Sequence, residues 1–204
     1  MLTPRCGTRI FHRYKSLGLN LSAGAAVTNQ NYARALRRRA DTADSEDAKA
    51  ALRERATRAC EAALQALTAL RGSEHADVCD AMRKLANAHR VQGNVHQAST
   101  LLREAIGTLV KTVPMDERTA AALNDLALLI KTEGVGNLYE AEALYVNAIK
   151  IADAARSKRN SIVYNANLAE LWDSMGKTTE AQQLRELILA RHSDQVPSEE
   201  KGAQ

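Results

Sequence analysis

Aromatic side chains make up only 3% of the sequence, with one Trp and one Phe, and proline occurs three times in 204 residues. A β-sandwich or barrel draws on aromatic and β-branched residues and on frequent turn residues, so an all-β fold is a poor fit. The same scarcity leaves few rings on which nucleic-acid bases could stack. No stretch approaches the ~18 uncharged apolar residues that a membrane-crossing helix needs. Cysteine is sparse as well: Cys6, Cys60 and Cys79 form no Cys-x-x-Cys pair and are odd in number. That argues against a disulfide framework and suits a reducing compartment. Finally, residues 1–40 carry no Asp or Glu at all.

Chemistry finds no foothold in the usual signatures. Gly134-Val135-Gly136 lacks a third glycine and falls between two predicted helices, where a dinucleotide turn would need a strand before it. A phosphate-cradling loop, a paired-histidine metalloprotease helix and a nucleophile elbow are all missing. His89 and His96 straddle a predicted turn, and a packed histidine explains His89 better than a metal ligand. The expectation is a protein that is not an enzyme, with no cofactor and no metal.

What is present is helix-forming sequence, rich in Ala, Leu, Arg and Glu. It also repeats. Leu85-Ala86, Gly93, Ala98 and Ala105 return as Leu126-Ala127, Gly134, Ala141 and Ala148, then as Leu168-Ala169, Gly176, Ala181 and Ile188. The intervals from Leu to Leu are 41 and 42 residues. Each copy predicts a helix, a turn at the Gly and a second antiparallel helix, with Ala where two backbones approach closely. One hairpin cannot bury its apolar face alone, so the copies must stack and share a core. The predicted pairs are 76–91 with 95–112, 116–132 with 138–156, and 160–175 with 178–192. Between them, Val113-Pro114 breaks the chain. Ahead of them lie a long helix over 45–71, capped by Ser45 and stopped by Gly72, and a short one over 28–40. Ala56 and Ala63 sit 42 residues before Ala98 and Ala105, so residues 29–72 read as a degenerate leading hairpin.

Charge divides the chain. Arg5, Arg9, Arg13, Lys15, Arg34, Arg37, Arg38 and Arg39 stand unopposed in residues 1–40, while the remainder has 20 basic against 24 acidic residues. Residues 1–28 are Arg-rich, acid-free and dotted with Ser, Thr and isolated apolar residues, as in a mitochondrial targeting segment. Arg13-Tyr14-Lys15-Ser16 resembles a matrix-protease cleavage context. Localisation to the matrix or the matrix face of the inner membrane is expected, with contact to import machinery through the leader; a cytosolic location is the alternative. Direct nucleic-acid binding is not expected of an acidic body with few aromatics, although Arg37-Arg38-Arg39 could touch phosphates and association with a ribonucleoprotein through protein contacts stays open. Residues 193–204 are polar and contain Pro197, and are expected to form a disordered tail.

The pattern of Leu-Ala, Gly and Ala resembles the tetratricopeptide repeat (TPR). The longer interval, the stretch Gly72-Ser73-Glu74-His75-Ala76-Asp77-Val78, and the segments 123–127 and 139–145 resemble the kinesin-light-chain variety in particular. The resemblance implies an all-α, right-handed superhelical solenoid of three repeats over 73–192 plus the leading hairpin. It also implies a non-catalytic scaffold whose concave groove, lined by first helices, holds a peptide or helix of a partner protein. Carried onto this chain, the groove positions are Arg83, Asn87 and Arg90, then Asn124, Leu128 and Lys131, then Ala166, Glu170 and Asp173. Cations and carboxamides in the first two sets favour a ligand with an acidic part there. An assembly factor or subunit of a larger complex is the expected role; a cytosolic adaptor or an accessory protein of a mitochondrial RNA-protein complex are the alternatives.

Overall fold

The computed structural model describes residues 23–134 and 137–193. The predicted leader up to residue 22, Val135-Gly136 of the longer turn and the predicted tail from 194 lie outside the described residues. Every described element is a helix: α1 Ala23–Asp41, α2 Glu46–Arg71, α3 Ala76–Val91, α4 Val95–Thr112, α5 Glu117–Glu133, α6 Leu138–Ala154, α7 Lys158–Ser174 and α8 Thr178–Ser193. The chain divides after Pro114 into two compact units, α1 to α4 and α5 to α8.

Local chemistry sets the helix ends. Ser45 is extended and its hydroxyl accepts from the Ala48 amide at 3.2 Å, with Glu46 and Asp47 in the first turn of α2. Asp116 does the same for α5, accepting from the Arg118 amide at 2.8 Å, and Asn137 for α6, accepting from Tyr139 at 2.8 Å. Gly93 and Gly176 occupy matching turns at φ 78°, a left-handed value that costs a side-chain-bearing residue about 1 kcal/mol or more. That is why glycine marks the repeat.

In the first unit α1 packs on α2, α2 on α3 and α3 on α4. Ala33 and Leu36 of α1, Ala56, Ala59 and Cys60 of α2, and Leu85 and Ala88 of α3 form one buried cluster. Ala26, Ala66, Leu67, Val78 and Ala81 form another from the same three helices. In the second unit α5 packs on α6, α6 on α7 and α7 on α8, and α5 also touches α7. The small residues of the pattern are enclosed in both units: Ala86, Ala98, Ala127, Ala141, Ala169 and Ala181 have no exposed surface.

Two boundaries differ from the sequence expectation for identifiable reasons. The first helix begins at Ala23, not at Thr28; the Thr28 hydroxyl does not cap it but bonds back to the Gly24 carbonyl at 2.8 Å within the helix. The sixth helix stops at Ala154, two residues early. There Arg156 turns the chain at φ 56°, a left-handed residue without the glycine that would have announced it.

The early start of α1 has a measurable consequence. Ala26 is fully buried, so a chain beginning at Asn29 is expected to be less stable than one beginning at Ala23, by on the order of 1 kcal/mol. Urea midpoints of the two truncations check this; equal midpoints would mean that the first turns of α1 contribute nothing.

Candidate partner-binding site

Arg83, Asn87 and Arg90 fall at i, i+4 and i+7 on α3 and so share one face. Arg83 reaches back one turn, its Nε and Nη2 donating to Asp80 Oδ1 at 3.1 and 2.8 Å. Lys84 Nζ lies 2.7 Å from Asp80 Oδ2 and donates to Gln30 Oε1 of α1 at 2.7 Å. Burial alone would raise the Asp80 carboxyl, but the Arg83 and Lys84 charges outweigh it and hold the group below its ordinary value. Arg90 Nε donates to Asn87 Oδ1 at 3.4 Å, a weak bond.

In the second unit the corresponding residues engage the next repeat. Asn124 is buried, accepts from Asn167 Nδ2 of α7 at 2.9 Å and donates to Asp125 at 3.3 Å. Lys131 Nζ pairs with Glu170 Oε2 of α7 at 2.6 Å. Leu128, between them on α5, is half-buried. In the third set Ala166 is exposed, Glu170 is engaged by Lys131, and Asp173 is paired with Arg185 of α8. The Arg185 hydrogen bond, against a small opposing effect of burial, holds the Asp173 carboxyl below its ordinary value. Polar side chains of α5 and α7 therefore bond mainly to one another.

The sequence reading missed several participants in the first unit. Arg34 and Arg37 of α1 face Arg83, Lys84 and Asn87 of α3 across a cavity of 370 Å³. Gln30, bonded to Lys84, also lines it. The signal was present: Ala33 and Leu36 point into the core, which places Arg34 and Arg37, one turn apart, at its edge. The sequence reading instead grouped Arg37 with Arg38 and Arg39 as a phosphate-contacting arm, whereas Arg37 is half-buried at the cavity and the other two are exposed.

A further cluster has a structural character. Trp172 Nε1 donates to Glu142 Oε1 at 2.7 Å, Lys177 Nζ lies 2.9 Å from Glu142 Oε2, and the same ammonium sits 5.5 Å above the Tyr139 ring. Trp172 takes the position that Ile130 and His89 hold in the other repeats; Ile130 is fully buried, and Trp172 and His89 are half-buried. Among the described residues no group of three His, Cys, Asp or Glu is placed to hold a metal, and no helix is long and apolar enough to cross a membrane.

No protein-family model matches the sequence, and no curated protein resembles it significantly. Solved structures do resemble the fold. BtubC (BKLC) from P. vanneervenii aligns with a TM-score of 0.62 at 17% identity, covering 78% of this chain and 64% of that one. The chain thus spans about two thirds of the length of BtubC. A Podosopora anserina protein described as a kinesin light chain with nearly identical TPR-like repeats aligns at 0.57 and 21% identity, over 97% of this chain and all of that one. A single-residue variant of it aligns at 0.55 and 21% identity, over 91% and 92% of the two chains. The fold is therefore a TPR-like helical repeat fold. Its repeats share the fold of the TPR-like repeats in these structures.

Proposed function

We propose that this chain is a non-catalytic scaffold that holds a segment of a partner protein, with an acidic part, against the α3 face at Arg83, Asn87 and Arg90; Asn124, Leu128 and Lys131 are the candidate contacts on α5, within the second unit. The observation that carries the reading is the imbalance of charge in the first unit. Four cations line one cavity there; Asp80 pairs with Arg83 and Lys84, and no carboxylate among the described residues pairs with Arg34 or Arg37. Partner acids would find donors at this place, since charge-assisted bonds to Arg are directional and strong. On α5, Lys131 already has Glu170, so it would contribute by exchanging one carboxylate for another.

A role in assembling a mitochondrial complex is part of the proposal. It is supported by the sequence ahead of α1, where Arg5, Arg9, Arg13 and Lys15 occur without an acidic residue.

Affinity capture from the native organism tests the reading with the tagged full-length chain. Arg83→Glu with Arg90→Glu is expected to remove the specific co-purifying proteins, while Lys150→Glu, an exposed change on α6, leaves them in place. An unchanged set of partners would rule out the α3 face. Fusing residues 1–40 to a fluorescent protein is expected to direct it to mitochondria; a diffuse cytosolic signal would favour a cytosolic adaptor.

A further inference from the structure

The cavity between α1 and α3 carries more positive charge than a single carboxylate would neutralise. Its lining includes Asn31, Arg34 and Arg37 from α1 and Arg83, Lys84 and Asn87 from α3, and no acidic side chain lines it. Asp80, below Arg83 and Lys84, offsets one of the four cations. No carboxylate among the described residues pairs with Arg34 or Arg37. These charges converge. Arg37 and Lys84, from different helices, both act on the buried Cys60 thiol at the back of the cavity, where burial dominates and pushes the thiol up while the two cations oppose it.

We propose that this cavity receives a phosphoryl group borne on a serine or threonine of the partner protein. The proposal rests on the scaffold reading above and names the chemistry of the group recognised. A phosphoryl group carries about −1.5 to −2 charge and three acceptor oxygens, where a carboxylate carries −1 and two. Two guanidinium forks one turn apart, with the Asn31 carboxamide beside them, match the larger anion. At 370 Å³ the cavity suits a side chain and its anion, not a length of backbone. A nucleic acid would need a basic track continuing past the cavity and bases stacked on aromatics; the cavity lining contains no aromatic residue.

The test uses the full chain and three fluorescent nonapeptide pools, degenerate except for a fixed central phosphoserine, glutamate or serine, with a random 12-nucleotide RNA, AMP and inorganic phosphate as further probes. The phosphoserine pool is expected to bind at least tenfold more tightly than either other pool. Arg34→Gln with Arg37→Gln should abolish that preference, and Arg38→Gln with Arg39→Gln, exposed on the same helix, should preserve it. If the double variant does not fold, the exposed Arg34→Gln alone should reduce the preference several-fold. Equal binding of the glutamate and phosphoserine pools overturns the proposal, as does a preference that survives loss of Arg34 and Arg37. Tighter binding of RNA, AMP or inorganic phosphate than of the phosphoserine pool overturns it too, in favour of a nucleic-acid or small-anion site. Phosphatase treatment of the lysate before capture separates this proposal from the one it rests on. Partners that persist after phosphatase yet are lost with Arg83→Glu and Arg90→Glu would keep the scaffold reading and remove the phosphoryl group.

Discussion

Tyr145→Phe is expected to raise the stability of the protein by about 1 kcal/mol, whereas Tyr145→Ala is expected to lower it by about 3–5 kcal/mol. Tyr145 lies on α6 with no exposed surface, and it is the largest fully buried side chain. Its hydroxyl has no hydrogen-bond partner among the described residues. Burial, reinforced by the charges of Glu170 and Asp125, pushes the phenol above its ordinary value. A buried hydroxyl that has left water without gaining a partner costs ~1–3 kcal/mol, and phenylalanine removes it while keeping the ring. Alanine leaves a ring-sized void between α6 and its neighbours that a close-packed interior fills only in part. Urea denaturation should show the two midpoints moving in opposite directions with little change in slope. A lower midpoint for the phenylalanine variant would mean that the hydroxyl is satisfied, by an internal water for instance.

The second large effect concerns alanine. Ala127→Leu is expected to cost about 1–3 kcal/mol or more, while Ala166→Leu should fall within about 0.5 kcal/mol of the parent. Ala127 is fully enclosed on α5, which packs against both α6 and α7, and its counterparts Ala86 and Ala169 are enclosed in the same way. A leucine there has to push one helix from another or adopt a strained rotamer. Ala166 is exposed on α7 and has room for a larger side chain. Matched thermal midpoints would check the pair. An Ala127→Leu variant as stable as Ala166→Leu would show that the alanine pattern does not set the spacing of the helices.

The helices were readable because their determinants are local. Apolar spacing, the Ser45 cap, and the Gly93 and Gly176 turns each act within a few residues, and the described helices other than α1 begin and end within two residues of their predicted bounds. The misjudged ends involved residues whose meaning depends on conformation: Thr28 can cap a helix or bond back into it, and Arg156 adopts a left-handed turn usually given to glycine. Candidate polar positions on α3, and separately those on α5, could be placed on one face of their own helix by counting. Their partners could not. Lys131 and Glu170 are 39 residues apart, Asn124 and Asn167 are 43 apart, and Gln30 and Lys84 are 54 apart.

The sequence by itself determined a helical repeat with close-packed alanines, because periodicity and small side chains act through contacts that every copy repeats. Only the tertiary structure decided which charges are paired within the chain and which are not. Whether a cation is neutralised depends on which helix lies opposite it and how far the side chains reach, as Lys131 meeting Glu170, and Arg34 and Arg37 meeting no acid among the described residues, demonstrate.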